Sequence, residues 1–146
     1  MIRARIAAWF RPPFLGLAAG LSLTLAAGAG HAQDLPFDLA GNWQVEEIDG
    51  TPVLDGVDVQ LDLSSGGTAG GSTGCNTMFG QVKVSGGVLK IGPLAVTRKA
   101  CPPAVMEQER KLLEVIGAVA DYRKEDGALV LLSAAGGAVM RLSLRP

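Results

Sequence analysis

Cys75 and Cys101 are the only two cysteines in a chain of 146 residues, and no other residues in it are better suited to chemistry. Such a pair can form a disulfide, supply a nucleophilic thiolate, or contribute to a metal site. The one histidine, His31, lies in an N-terminal stretch with the features of a leader. Beyond that stretch there is no imidazole, which excludes Ser-His-Asp and Cys-His catalysis and any His-ligated metal. Two thiols alone cannot complete a four-ligand zinc site. Paired carboxylates remain the only formal route to acid-base catalysis. However, the acids up to Asp62 mostly occupy alternating or turn positions, where solvation is the expected state. Gly66-Gly67 and Gly70-Gly71 precede Ser72-Thr73-Gly74 without the lysine and spacing of a phosphate loop. The expectation is a non-enzymatic chain with no catalytic residues, no metal and no cofactor.

The chemistry of the cysteines depends on their compartment. Residues 1–32 carry Arg3, Arg5 and Arg11 and no acid, then an apolar run from Phe14 to Ala29, then Gly30-His31-Ala32 with small residues at the two positions a signal peptidase reads. This pattern predicts a Sec-type signal peptide cut after Ala32, because the apolar run is short for a membrane span of about 20 residues. No cysteine adjoins the cut site, so lipid attachment is not expected. Ala4 separates Arg3 from Arg5, unlike a twin-arginine signal. Export to the periplasm or cell envelope follows, with no integral span after cleavage. Intact-mass measurement of periplasmic protein is expected to give Gln33 as the mature N-terminus, and a product retaining Trp9 would make the segment an anchor. In an oxidising compartment an even cysteine pair favours a disulfide, worth about 3 to 4 kcal/mol by loop-closure entropy. A free or redox-active pair is the alternative.

Residues 33–146 have the length of one domain. Leu39 to Val45 leads into a strand ending at Asp49-Gly50, a tight-turn dipeptide. Val57, Val59, Leu61 and Leu63 alternate with polar residues, as in a half-buried strand. Ser64 to Gly71 reads as a loop. Further strands are predicted over Phe79–Ser85, Val88–Ile91, Leu94–Thr97, Tyr122–Glu125, Ala128–Ser133 and Val139–Leu144, with turns at Gly86-Gly87, Gly92-Pro93, Asp126-Gly127 and Gly136-Gly137. One helix interrupts the series. Pro102 and Pro103 open it, Glu107 and Glu109 sit where the helix dipole favours acids, and Val105, Met106, Leu112, Leu113, Ile116 and Val119 form its apolar stripe. The expected fold is mainly β with one helix, the strands antiparallel because they follow one another at short spacing.

The chain has 13 basic and 14 acidic residues, unevenly distributed. Every charged residue between Gln33 and Val82 is acidic, namely Asp34, Asp38, Glu46, Glu47, Asp49, Asp55, Asp58 and Asp62, whereas Lys83 to Pro146 holds ten basic residues and six acids. The two halves are expected to lie side by side and pair across the sheet. Nucleic acid is not an expected partner, since there is no clustered basic surface.

Together these segments resemble the META (HslJ-like) domain family. The resemblance rests on Leu39-Ala40-Gly41-Asn42-Trp43 with its Gly-x-Trp, on Gly71-Ser72-Thr73-Gly74-Cys75-Asn76 with Phe79-Gly80, and on Thr97-Arg98 followed by Cys101-Pro102. It continues through Met106-Glu107-Gln108-Glu109 and the Leu129–Leu132 strand. Lys99 departs from the pattern, where members often carry an apolar residue. The resemblance implies a barrel-like, lipocalin-like antiparallel architecture packed against one helix, with residues 33–146 as the domain. It also implies a role in envelope stress or antibiotic tolerance, such as novobiocin tolerance, and no reaction. It places Cys75 and Cys101 together. Structural tasks are available to Trp43 as a core filler, Gly74 at an unusual backbone angle and Asn76 in a turn, with Thr97 part of the motif. Arg98 either pairs with Glu109, the favoured reading, or binds an anionic ligand. Two alternative functions stand beside stress tolerance: a small-molecule or peptide binder using the barrel interior, with a cavity near Trp43, and an inhibitor of a basic secreted enzyme such as a lysozyme. The partner is a small ligand or an envelope protein of unknown identity, and a monomer is expected.

Overall fold

A computed structural model describes residues 35–146; the expected leader and Asp34 lie outside the described residues. Short, local turn signals set the strand order. Asp49 and Gly50 both take positive φ (50° and 74°), as do Asp126 and Gly127 (50° and 81°). Such turns match the right-handed twist of flanking strands and fold the chain straight back on itself. The first joins β1 (Gly41–Ile48) to the short β2 (Thr51–Pro52). The second joins β7 (Val119–Glu125) to β8 (Ala128–Ser133), and Gly136-Gly137 turns β8 into β9 (Ala138–Leu144).

Between these hairpins run β3 (Gln60–Leu63), β4 (Thr68–Ser72), β5 (Thr77–Ser85), β6 (Val88–Val96) and α1 (Pro103–Gly117). All pairings are antiparallel, in the order β6-β5-β4-β3-β1-β9-β8-β7, with β2 on β1. The sheet curls into a half-barrel, so that the edge strands β6 and β7 approach each other, and α1 packs on β6 and β1. Its interior is filled by side chains, with Trp43, Leu61, Met78, Leu129, Leu131 and Leu142 at most 1% exposed. Trp43 donates its indole N–H to the Leu39 carbonyl at 3.0 Å, and Lys124 Nζ lies 4.1 Å from its ring centroid. On the outer face Val130 is also buried, flanked in register by Arg123 and Arg141. Both arginines pair with Glu125 at 3.5 Å, so their apolar stems line the strand.

Three expectations about elements change. Ser64–Gly71 is not all loop: Thr68–Ser72 is a strand between β3 and β5. Its small residues belong there because a Cβ on Gly71 would stand 2.0 Å from the Gln60 carbonyl oxygen, so glycine permits a close approach of backbones. Gly92-Pro93 does not separate two strands. β6 runs through it, and the register moves by one residue between the Gly80–Leu94 and Val82–Ile91 pairs. Proline, lacking an N–H, is accommodated at such a bulge on an edge strand. The helix carries no acid in its first turn, since it starts at Pro103 and both Glu107 and Glu109 lie beyond that turn. Val119 belongs to β7, and Met106 is 37% exposed.

The charge asymmetry is resolved only in part by cross-pairing. Asp49 meets Lys111 at 2.8 Å and Asp58 meets Arg145 at 3.2 Å. A hydrogen bond from Gln60, together with Arg145, holds the Asp58 carboxyl below its usual range. Among the described residues, Glu46, Glu47, Asp55 and Asp62 make no ion pair.

Candidate functional site

The motif residues converge where the β4–β5 turn meets the segment leading into α1. Thr73 N–H donates to the Asn76 carbonyl at 2.8 Å, and Asn76 N–H donates to Thr73 Oγ1 at 2.8 Å, closing the turn. Gly74 sits at φ 91° within it, and a Cβ there would come 2.3 Å from Val57 Cγ1. Only glycine meets both conditions. Cys75 and Cys101 are bonded, with Cα atoms 6.0 Å apart, which ties this turn to the residue preceding Pro102 and the helix.

Asn76 is 3% exposed and uses both ends of its side chain. Its Oδ1 accepts the Lys99 N–H at 2.7 Å and the Thr97 hydroxyl at 2.9 Å. The Lys99 N–H can only donate, so the amide orientation is determined and Nδ2 must point the other way. It points at Glu109, 2.9 Å from Oε2 and 3.1 Å from Oε1. The Thr73 hydroxyl also donates to Glu109 Oε2. Glu109 is 7% exposed, so a carboxylate on the helix's buried face is surrounded by donors from the turn. An ionised carboxylate accepts only, and these neutral donors satisfy it without a cation. Chemically this is a clamp that holds helix, turn and inter-element segment together.

The favoured Arg98–Glu109 pair therefore does not form. Arg98 is exposed and makes no ion pair among the described residues. The physical reason is geometric: Asn76 and Thr73 already occupy the carboxylate's buried side, and neutral donors there avoid desolvating a guanidinium. Of the residues read from the sequence as motif positions, the structure brings Gly74, Cys75, Asn76, Thr97, Cys101 and Glu109 together. Trp43 lies in the core rather than at this cluster. Thr73 was missed as a participant; its signal was a buried-capable hydroxyl two residues before the cysteine. The Lys99 departure is also explained, because Lys99 contributes through its backbone and its side chain is exposed.

The META domain family model matches residues 36–145. The chain belongs to the META domain family. Among solved structures, the META domain here is similar to a protein determined by NMR at 25% identity, covering 71% of this chain and 88% of that one with a TM-score of 0.56. An NMR structure from Burkholderia xenovorans shares 19% identity over 99% of both chains, with a TM-score of 0.57. A DUF4847 family protein from Bacteroides vulgatus shares 13% identity, 73% of this chain and 94% of its own, with a TM-score of 0.54. The latter two likenesses concern the fold alone. No curated protein matches the chain. Among the described residues, no helix is long and apolar enough to cross a membrane and no acidic, cysteine or histidine cluster is arranged to hold a metal.

Proposed function

We propose that this META domain is an exported, non-catalytic protein of the periplasm or the inner face of the outer membrane, acting in tolerance of heat or antibiotic stress. The observation that carries the reading is the direction of its best-organised polar cluster. Thr73, Asn76, Thr97 and Glu109 turn their donors and acceptors on one another, and the Cys75–Cys101 bond staples the same point. That arrangement serves persistence of the fold, and a disulfide of this kind suits an oxidising compartment. The interior-binder alternative gains less support, because Trp43 is packed and the clefts seen lie along α1.

The test is a gene deletion challenged with novobiocin and with heat. A survival defect restored by the wild-type gene, and restored less well by a Cys75→Ser/Cys101→Ser copy, is the expected result. Parental growth of the deletion strain under both stresses would sink the proposal.

A further inference from the structure

The basic residues of the described chain fall into two groups. Arg110, Lys111, Arg123, Arg141 and Arg145 form ion pairs, and Lys124 lies over the Trp43 ring. Lys83, Lys90, Arg98 and Lys99 are all exposed and make no ion pair among the described residues. They share one stretch of chain, because Ser64 to Met106 contains these four basic residues and no acid. That stretch builds β4, β5 and β6, which are neighbours at one edge of the sheet. Along the chain the four stand too far apart to read as a cluster, and the β5–β6 hairpin gathers them by setting Lys83 directly opposite Lys90. Like charges facing each other across a strand pair are unfavourable, and neither lysine has an acidic partner to offset this.

The same face carries an exposed aromatic ring. On β5 Met78 and Val82 are buried in the core, so Phe79, Gln81 and Lys83 occupy the outside. On β6 Leu89 and Ile91 are buried, which leaves Lys90 outside as well. Phe79 pairs in register with Gly70 on one side and Ala95 on the other. Neither has a side chain large enough to cover the ring, which is 64% exposed. Lys83 and Thr77 lie at opposite ends of this face of β5, about 20 Å apart at the usual strand rise, and Thr77 adjoins Thr97, the residue before Arg98 and Lys99. Basic residues therefore stand at both ends of a strip with Phe79 between them. Asp62, across Gly70 from Phe79, marks where the acids begin and bounds the strip on its β3 side.

We infer that the outer face of β4, β5 and β6 docks on an anionic phospholipid bilayer, with Phe79 entering the head-group region and Lys83, Lys90, Arg98 and Lys99 lying over the lipid phosphates. The outside of a curled sheet is convex. Such a surface neither encloses a small ligand nor cradles a single polymer strand, whereas a protruding ring flanked by basic residues can enter a soft, planar, negatively charged boundary. The acidic β1–β3 side then faces away from the bilayer. The inference goes beyond the envelope role proposed above and stands apart from it, since charge and shape alone define the face.

Protein from periplasmic expression of the full chain is sedimented with vesicles of phosphatidylcholine alone, and of phosphatidylcholine with an equal part of phosphatidylglycerol. Binding to the anionic vesicles only is expected, and it should be lost between about 0.1 and 1 M salt as the Debye length shrinks from about 10 to about 3 Å. A basic residue near an anionic surface strengthens binding about fivefold, so Lys83→Gln/Lys90→Gln is expected to weaken it about 25-fold. Arg98→Gln/Lys99→Gln is expected to do the same, which keeps the test decisive should either double substitution disturb folding. Arg110→Gln, which removes a charge on α1 away from the face, is expected to change binding by no more than about twofold. Phe79→Trp is expected to shift its emission to the blue on anionic vesicles, against the constant background of the buried Trp43. Equal binding to neutral vesicles, binding to neither, or a loss in Arg110→Gln as large per charge as in the lysine pair overturns the inference. So does a single-stranded oligonucleotide that binds this face more tightly than the vesicles, or a dimer in vesicle-free solution that the lysine substitutions dissociate, since nucleic acid or a second copy of the chain would then be the occupant.

Discussion

Asn76→Ala is expected to destabilise the domain by about 3 to 5 kcal/mol, far more than its single amide suggests. The substitution strips Glu109 of two hydrogen bonds, at 2.9 and 3.1 Å, and leaves a buried carboxylate with the Thr73 hydroxyl as its remaining donor. It also leaves the Lys99 N–H and the Thr97 hydroxyl without their acceptor. Glu109→Ala removes the charge but leaves the Asn76 NH2 with only the Lys99 carbonyl, at 3.5 Å, so it too is expected to be costly. With both removed, the buried site is less polar, and the double mutant should lose less than the two single losses together, by about 0.5 to 3 kcal/mol. Urea melts of the three variants measure this coupling, and additive losses would mean that Asn76 does not hold Glu109. Arg98→Ala, exposed and without an ion pair among the described residues, is expected to change stability by no more than about 0.5 kcal/mol.

Loss of the Cys75–Cys101 bond is expected to cost about 3.5 kcal/mol, the loop-closure entropy for its separation of 26 residues. For a domain of this size that corresponds to a fall in Tm of roughly 10 to 20 °C. The Cys75→Ser/Cys101→Ser variant, compared with the oxidised protein by thermal melting, reads the effect. The bond joins the turn bearing Asn76 to the segment bearing Lys99, so its loss should also weaken the Glu109 clamp, and combining it with Asn76→Ala should not be additive. Thiol titration of denatured, unreduced protein from the periplasm is expected to find no free thiol. Two free thiols per chain, or a Tm unchanged by the double substitution, would remove the staple from any account of this fold.

Most of the architecture was legible because its signals are local. Asp49-Gly50 and Asp126-Gly127 specify turns through the φ values those residues tolerate, and the strands between turns show in their alternation. β4 was not legible as a strand. Gly70, Gly71 and Ser72 have low strand propensity, and their place in the sheet follows from how closely β3 passes, which no local pattern records. β6 was divided at Gly92-Pro93 for a similar reason: whether a proline ends a strand or sits in a bulge depends on the partner strand's register.

The sequence by itself determined the possible chemistry. With one histidine, in the leader-like stretch, and two cysteines, the cysteines could form only one intrachain pair. The family motif then marked Asn76, Thr97 and Glu109 as belonging together. What the sequence could not determine was the partner of Glu109. Arg98 was the natural candidate, because it stands close to Cys101 in the motif and a buried charge usually finds a protein partner. Only the tertiary structure showed that Asn76, 33 residues before Glu109, and Thr73 reach the carboxylate first. That choice depends on the docking of α1 and the pairing of β5 with β6, which bring neutral donors from the turn to the carboxylate and leave Arg98 exposed.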